Sequence, residues 1–456
     1  MFFLAAYNFE ANLHMYKFGE ANIVMDINSG AIHMFDDVAY ALLQNLVRCQ
    51  GDMYHAAEIC GHTFPPAQVS EAVVELMALY EEGSLFTEDE DIHFDWPEVP
   101  VKALCLNIAH TCNMRCTYCF AGQGNFGLQE GLMPIDIGRQ ALDFLIDRSQ
   151  GIKHLEVDFF GGEPLLNQNM MKELVEYGRQ REAETGKRFN FTLTTNALLL
   201  NEEIINWVID NDISVILSLD GRPEVNDRHR IMANGQGSYN QILPHIKKMV
   251  EKHPVSYFVR GTFTRENLDF SEDLKHLAEM GFDAISLEPA VGQSELAIKK
   301  EDLPQVIGEY EKLTQLLLDY FNHGHNIQFF HYDLNLQQGP CIAKRCSGCG
   351  AGCEYLVVTP NGDIYPCHQF IGEAGFYMGN IKDGKIDRKI VERFQHNRLK
   401  DKECRYCWAR YFCGGGCHAS ALHQTGDMSK PDPVACTMQQ KRIENAIYLD
   451  IKKNAN

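Results

Sequence analysis

The spacing of apolar residues predicts a small mixed module at the start of the chain. Residues 14–18, 21–27 and 31–36 are short apolar-rich runs separated by turn-forming residues, and such runs predict three strands. Apolar residues recur three and four positions apart at 38–47 and 67–83, which predicts two helices. Three strands followed by helices are the order of a winged-helix-like fold.

From residue 101 the pattern changes to strand-like runs that alternate with helical stretches. The apolar runs predict six strands, at 102–109, 155–160, 191–195, 214–220, 256–263 and 283–289. Strands joined through helices are parallel with right-handed crossovers. The predicted fold class is therefore α/β, with a partial, TIM-like (β/α)6 barrel. The active site of such a barrel lies at the C-terminal ends of its strands.

These changes of pattern divide the chain into three predicted domains, 1–95, 96–330 and 331–456. The acidic, proline-ended stretch at 81–100 reads as the linker between the first two. The third domain is dense in cysteine and ends in a helical stretch from Met438 to Lys453.

Composition narrows the classes of partner and compartment. With 45% hydrophobic and 23% charged residues, the 456-residue chain has ordinary globular composition. Its net charge of −21 argues against nucleic acid and anionic membranes as partners, because phosphate binding needs a basic face. Neither an 18-residue apolar run nor a convincing signal peptide is found, so we expect a cytoplasmic protein. The isolated Cys49, Cys60 and Cys105 read as buried side chains.

Three cysteines stand directly after the first barrel strand, in the run CNMRCTYC. Cys112, Cys116 and Cys119 have the spacing C-x3-C-x2-C, which can hold three irons of a [4Fe–4S] cube and leave the fourth iron open. Tyr118 offers a flat neighbour to a bound base. By itself the spacing also fits a loop of free or zinc-binding cysteines.

The second barrel strand ends in Gly161, Gly162, Glu163 and Pro164. Paired glycines let the backbone approach a ligand closely, and a carboxylate at a strand end can bind a ligand ammonium. Without its context, this run would equally be an exposed Gly-Gly turn.

Polar side chains also mark the ends of the next two strands. Thr194 and Asn196 close the third strand, whereas Ser218 and Asp220 close the fourth and are candidates for a ribose or the backbone. Arg230 follows and can hold a carboxylate in a bidentate pair. The alternative for each is a polar residue that satisfies a turn.

Seven cysteines form an ordered series in the third domain. Their pattern is C-x12-G-x4-C, C-x2-C-x5-C-x3-C and a last cysteine, namely Cys349, Cys367, Cys404, Cys407, Cys413, Cys417 and Cys436. A zinc ribbon needs only two pairs and fits this order poorly. His323, His325 and His331 read as part of a connecting loop rather than a metal site.

The motifs together resemble those of known families. CNMRCTYC followed one βα unit later by GGEP resembles the radical S-adenosylmethionine (SAM) enzymes. The seven-cysteine series resembles the SPASM domain, and the first module is similar to the RiPP recognition element of enzymes that modify ribosomally made peptides. The runs at 101–127, 155–167 and 341–370 resemble the SCIFF maturases, which act on peptides with six cysteines in about forty-five residues.

The resemblance implies cofactors and ligands. It implies SAM and three [4Fe–4S] clusters, with Glu163 on the methionine amino group. Cys404, Cys407, Cys413 and Cys436 would ligate an outer auxiliary cluster, and Cys349, Cys367 and Cys417 an inner one. Cys341, Cys346, Cys353 or a substrate thiolate would complete the inner cluster.

The resemblance also implies an activity and partners. The enzyme would form thioether links from cysteine sulfur to a carbon of an acceptor residue in a cysteine-rich precursor peptide with a leader. It would need a low-potential electron donor of flavodoxin or ferredoxin type. One alternative is a sulfatase-activating radical SAM enzyme that makes formylglycine. Members of that family typically carry an acidic residue after the second SPASM cysteine, where this chain has His368. The other alternative is a non-catalytic electron-transfer or binding protein that carries several clusters.

Overall fold

The computed structural model describes Leu4 and residues 7–89, 99–292, 294–336 and 348–454. Its first module is an antiparallel sheet with strand order β1-β2-β3, packed against helices. The elements are α1 Phe9–Asn12, β1 Leu13–Phe18, β2 Ala21–Asp26, β3 Ile32–Phe35, α2 Asp37–Arg48, α3 Met53–Cys60 and α4 Pro66–Glu81. The three predicted strands and two predicted helices are present. The short helix α3, which begins at the capping residue Asp52, was not predicted.

The second unit is built on six consecutive parallel strands, as the alternating pattern predicted. They are β4 Ala103–Ala109, β5 His154–Gly161, β6 Arg188–Thr195, β7 Ser214–Ser218, β8 Tyr257–Phe263 and β9 Ala284–Pro289. A short strand, β10 Gln328–Phe329, continues the sheet beyond β9. The α/β fold with a parallel sheet, expected from the sequence, is confirmed.

Helices cover the outside of this sheet and bury its apolar face. They are α5 Ile135–Arg148, α6 Gln168–Thr185, α7 Glu202–Asp210, α8 Pro223–His229, α9 Tyr239–Glu251, α10 Phe270–Glu279 and α11 Leu303–Asn322. Alternate residues of β5, such as Val157 and Phe159, are fully buried against α5 and α6 through Leu142 and Leu174. The strand C-termini therefore share one rim, which carries the site.

The cysteine-rich domain continues the barrel sheet. Strand β11 Tyr355–Val358 pairs in parallel with β4, with Val357 opposite Cys105. Antiparallel strands β12 Asp363–Tyr365 and β13 Gly379–Asn380 extend the sheet to ten strands. Helices α12 Arg388–Gln395, α13 Arg410–Cys413, α14 His418–Thr425 and α15 Pro433–Asn454 complete the domain. Cys367 is thereby brought close to the barrel rim.

The N-terminal sheet packs directly on the cysteine-rich domain. Ile23 and Met25 of β2 share an apolar cluster with Ile443 and Ile447 of α15. The ring of Phe18 stacks on Tyr448, with centroids 4.0 Å apart. Among the described helices, none combines the length and the apolar run needed to cross a bilayer.

Candidate active site

Backbone pairing holds the three-cysteine loop against the segment that follows α8. The Arg115 amide donates to the Ile231 carbonyl at 2.7 Å, and the Thr117 amide donates to the His229 carbonyl at 3.0 Å. Arg230 lies between these two carbonyls in the chain, so the pairing brings its side chain to Tyr118. Tyr118 and Arg230 are 112 residues apart in sequence, and the fold brings them together.

The Gly-Gly-Glu strand end is held against the residues just before Cys112. The Gly162 amide donates to the Ala109 carbonyl at 2.7 Å, and the Glu163 amide donates to the Thr111 carbonyl at 3.0 Å. A Cβ on Gly161 would lie 2.3 Å from the Ala109 oxygen, and one on Gly162 only 2.0 Å from the Thr111 oxygen. The motif therefore needs glycine for packing against the cysteine loop.

Replacing Gly162 by alanine is expected to displace Thr111 and with it Cys112. Overpacking of this kind costs about 1–3 kcal/mol of folding free energy, and urea denaturation would measure it. Gly131→Ala is the matched control, because nothing lies within 4 Å of its added Cβ. Equal stability of the two variants would contradict this account of the motif.

The Glu163 carboxylate is fully buried and fixed by three donors. It accepts hydrogen bonds from the Thr195 hydroxyl at 2.7 Å, the Asn196 amide at 2.8 Å and the Leu165 amide at 3.1 Å. Burial raises the pKa of Glu163 to about 7, although these hydrogen bonds act in the opposite direction. A carboxylate has about four lone-pair positions, so one remains for a ligand cation.

Tyr118, Asp220 and Arg230 form a buried chain beside the loop. The Tyr118 hydroxyl donates to Asp220 at 2.6 Å and accepts from Arg230 Nη1 at 3.1 Å. Asp220 also accepts from the Thr262 amide at 3.0 Å, and burial raises its pKa to about 6. The Nε of Arg230 has no hydrogen-bond partner among the described residues, although the side chain is only 6% exposed. The guanidinium thus retains a buried donor for an anion.

A cavity of about 220 Å³ lies at this rim and unites most of the predicted residues. The ones that line it are Cys112, Cys116, Tyr118, Cys119, Gly161, Gly162, Glu163, Thr194, Asn196, Ser218 and Arg230. Pro164 and Asp220 do not line the described cavity wall; Pro164 begins a short 3-10 turn and Asp220 points to Tyr118. Asp220 is therefore placed to orient Tyr118 rather than to touch a ligand.

The far side of the cavity is lined by residues that the sequence did not single out. Arg260 and Thr262 lie on β8, Glu288 is the penultimate residue of β9, and His368 follows Cys367. The ring of His368 stacks on Phe160 with centroids 5.2 Å apart, and its Nδ1 has no partner in the described part of the chain. Because β8 and β9 were predicted strands, the rule that strand ends form the site would have found Thr262 and Glu288, whereas Arg260 lies in the middle of β8.

Burial disfavours the thiolate forms of Cys112 and Cys116 in the loop unless a metal binds them. Burial raises the pKa of Cys116 to about 12 and raises the pKa of Cys112 as well. A bound metal removes such a proton outright. In the described ranges no three His, Cys, Asp or Glu side chains converge on one point as ligands of a single ion. A cube instead needs thiolates at separate corners. The site fits an iron–sulfur cluster that carries a ligand with ammonium and carboxylate groups. Three neighbouring thiols could hold the cluster, the paired glycines leave room for the ligand, and the unpaired Nε of Arg230 could bind the carboxylate.

The later cysteines lie in two sets. The outer set comprises Cys404, Cys407, Cys413 and Cys436, whose charges act on one another, and burial raises the pKa of Cys436 to about 12. The inner set comprises Cys349, Cys367 and Cys417. Burial raises the pKa of Cys367 to about 12, with a further rise from Cys417 and Cys349. The members of each set thus lie close enough for their charges to act on one another, and their role as cluster ligands stays a prediction.

The extra cysteines have different placements. The Cys353 thiol donates to the Val391 carbonyl at 3.7 Å and lines a separate cavity with Val101 and Leu356, beside the N-terminal end of β11. It faces away from the rim, which argues against Cys353 as a ligand. Cys341 and Cys346 lie outside the described residues. Cys105 is buried within the sheet, as predicted.

Two family models match the chain. The model of the radical SAM superfamily matches residues 106–277, and that of the SPASM iron-sulfur cluster-binding domain matches residues 349–408. An uncharacterized protein of Methanocaldococcus jannaschii is 30% identical over 320 residues, which cover 68% of this chain and 96% of the relative. A cysteine-type anaerobic sulfatase-maturating enzyme of Clostridium novyi is 24% identical over 331 residues, 67% of this chain and 84% of that enzyme.

Solved structures share the fold at lower identity. The structure of anSMEcpe with bound AdoMet is 21% identical and has a TM-score of 0.65, covering 78% of this chain and 99% of that one. Streptococcus suis SuiB bound to precursor peptide SuiA is 17% identical with a TM-score of 0.55, covering 95% of this chain and all of that one. The wider coverage by SuiB extends the shared fold into the N-terminal module.

Proposed function

The chain belongs to the radical SAM superfamily, and from that premise we propose that it is a thioether-forming peptide maturase of the SCIFF type. Its radical SAM and SPASM domains support the coarser assignment to peptide-modifying maturases. The finer assignment rests on one observation. A single cavity is lined at one end by the three-cysteine loop and at the other by His368 and Gln369, which follow Cys367 of the inner set.

This arrangement lets one cavity hold both reacting parts of a peptide. A residue whose carbon faces the loop and a cysteine whose sulfur faces the inner set would meet within the same 220 Å³ cavity. Holding two groups at reacting distance removes much of the entropic cost of their meeting. A carrier of electrons alone would have no need for a cavity between these two regions.

Different residues of the chain would each bind a different part of SAM. The thiolates of Cys112, Cys116 and Cys119 would hold a [4Fe–4S] cluster by three irons. Glu163 would take the methionine ammonium, Arg230 would give its unpaired Nε to the carboxylate, and Tyr118, held by Asp220, would flank the base. When bound, the cluster and SAM supply a one-electron cleavage that yields methionine and a 5′-deoxyadenosyl radical for hydrogen abstraction from the acceptor carbon.

The two later cysteine sets would hold auxiliary clusters, which brings the proposed total to three. Four cysteines satisfy the outer cluster, whereas three leave one position of the inner cluster for Cys341, Cys346 or the thiolate of the substrate. A substrate thiolate held there would be deprotonated by the metal, so no strong base would be needed to activate the sulfur. An external low-potential electron donor of flavodoxin or ferredoxin type completes the proposed requirements.

The N-terminal module, residues 1–95, would bind the leader of the precursor. Strand β3 is an edge of the described three-stranded sheet, and Met34 on it is 53% exposed. An extended peptide can add to such an edge through main-chain hydrogen bonds. The fold shared with SuiB covers 95% of this chain and therefore includes the N-terminal module. Because that structure contains a bound precursor peptide, the likeness supports a peptide-binding role for the module.

Deoxyadenosine formation with two peptides tests the proposal. With dithionite and SAM, we expect turnover and a mass loss of two hydrogens per link on a cysteine-rich precursor. A sulfatase-derived peptide is the competing substrate, since similarity to a sulfatase-maturating enzyme favours that second candidate function. Formylglycine on the sulfatase peptide without links in the precursor would replace the proposal by the second function. Absence of SAM cleavage with either peptide would favour a carrier.

A further inference from the structure

A single lysine is buried in the cysteine-rich domain. Lys402 is only 6% exposed, and no other lysine in the described part of the chain is buried. It precedes Cys404 of the outer set by two residues, at the start of the turn that carries that cysteine. Burying an ammonium is unfavourable unless negative charge compensates it, so the position calls for an anionic neighbour.

The ammonium of Lys402 lies where the inner and outer cysteine sets meet. Its Nζ is 3.5 Å from the point that a Cβ on Gly415 would occupy, and Gly415 lies between Cys413 of the outer set and Cys417 of the inner set. A Cβ on Gly348, next to Cys349, would lie 2.7 Å from the Gly414 carbonyl oxygen. The backbones that carry the two sets are therefore in contact beside this lysine.

Electrostatics places the same lysine between members of both sets. The negative charges that act on the Lys402 ammonium come from Cys404, Cys349 and Cys413. Of these three, Cys349 belongs to the inner set and the others to the outer set. The neighbouring charged residues Asp401, Glu403 and Arg405 are exposed. Lys402 is thus the charged residue of this stretch whose side chain is buried beside the thiols.

We propose that Lys402 holds a positive charge between the two cysteine sets and thereby raises the reduction potential of the auxiliary clusters. The inference rests on the proposed function, which assigns clusters to these sets. Adding an electron makes a thiolate-bound cluster more negative by one unit, and a fixed cation in a medium of low dielectric stabilises that reduced state. Net charge near the cluster is one of the protein's means of setting its potential.

A raised reduction potential of the auxiliary clusters would favour the last step of thioether formation, which releases an electron. Coupling a carbon radical with a thiolate releases one electron, R• + R′S⁻ → R–S–R′ + e⁻. Clusters held by the inner and outer cysteine sets would supply acceptors for this electron, and an oxidised one-electron carrier protein would finally remove it. A cation shared by both sets favours acceptance at either one. Lys402 acts through the clusters and is a positioning residue rather than a catalytic one.

Redox titration of the reconstituted enzyme, followed by EPR, tests this role. Relative to the unmodified enzyme, Lys402→Met is expected to reduce the ratio of reduced to oxidised auxiliary cluster at least tenfold at a fixed potential. For one electron, this equals a downward shift of 59 mV. Lys402→Arg keeps the charge and is expected to retain the original potentials. Lys400→Met removes an exposed charge two residues away and is the matched control.

Two outcomes would overturn the proposal. One is an unchanged potential in Lys402→Met with full iron content. The other is loss of iron in both Lys402→Met and Lys402→Gln while Lys402→Arg loads fully, since the charge would then serve assembly rather than redox poise. Failure of the proposed function gives a different result, because it appears as a cysteine-rich precursor without thioether links, which the redox titration does not measure.

Discussion

Triple replacement of Cys112, Cys116 and Cys119 by alanine is expected to abolish SAM cleavage. These thiols line one end of the cavity, next to Glu163 and Arg230, and without them no iron would be held there for SAM to bind. Bound iron should fall from about 12 to about 8 per chain, as one of three four-iron clusters is lost. Iron analysis and deoxyadenosine measured with dithionite would follow the two effects together.

Cys49→Ala provides the control for this experiment. Cys49 follows α2 in the N-terminal module, away from both cysteine sets and from the cavity, so iron content and SAM cleavage should stay unchanged. Retained SAM cleavage in the triple variant would contradict the assignment of the loop. Loss of all iron, rather than about a third, would show instead that the loop is needed for the whole protein to assemble.

The cysteine loop and the Gly-Gly-Glu strand end could be predicted from sequence because each is a local run at the end of a strong apolar strand. Spacing within eight residues fixes which thiols can share a cluster, and the strand order fixes the rim. The same local reasoning left Asp220 open between a ribose and the backbone, and the structure shows its carboxylate bound to the Tyr118 hydroxyl and the Thr262 backbone amide. The direction of a side chain at a strand end depends on its neighbours in space.

Other features depend on contacts between distant segments. Strand β11 contains only four residues, and its pairing with β4 is decided by packing of the whole sheet. Lys402 stands in the charged stretch from Lys400 to Arg405, a pattern typical of a solvent-exposed segment. In the structure, the backbone at Gly348 approaches the backbone at Gly414 closely and helps to bury this lysine. Three-dimensional contact, rather than any local pattern, determines these features.

The interface of the N-terminal module changes how its role should be tested. Arg410 Nη1 donates to the Ala11 carbonyl at 2.7 Å and its Nη2 donates to Asn28 at 2.6 Å. The ring of His14 stacks on Trp408 with centroids 3.6 Å apart. Both partners lie just after Cys407, so deletion of 1–95 would expose an apolar face and disturb the outer set. A point change at the sheet edge is therefore the sharper experiment.

Met34→Pro is expected to weaken leader binding at least about tenfold while SAM cleavage persists. The Asp26 amide donates to the Ala31 carbonyl at 2.9 Å, and the register pairs Met25 with Ile32 and Ile23 with Met34. Hydrogen-bonded and non-bonded pairs alternate in an antiparallel ladder, so the Met34 amide points away from β2. Proline removes that outward donor and leaves the β2–β3 ladder intact, which edge strands tolerate.

The size of this effect follows from the bonds that a leader strand would lose. Each main-chain hydrogen bond contributes about 0.5–1.5 kcal/mol, and the proline ring also blocks close approach of the added strand, so we expect at least about a tenfold weaker Kd. Fluorescence anisotropy with a labelled leader peptide measures it. Met34→Ala retains the amide and separates the backbone from the side chain. If Met34→Pro binds the leader as the unmodified enzyme does, the edge of β3 is not the docking strand, and the leader must bind on another face of the module.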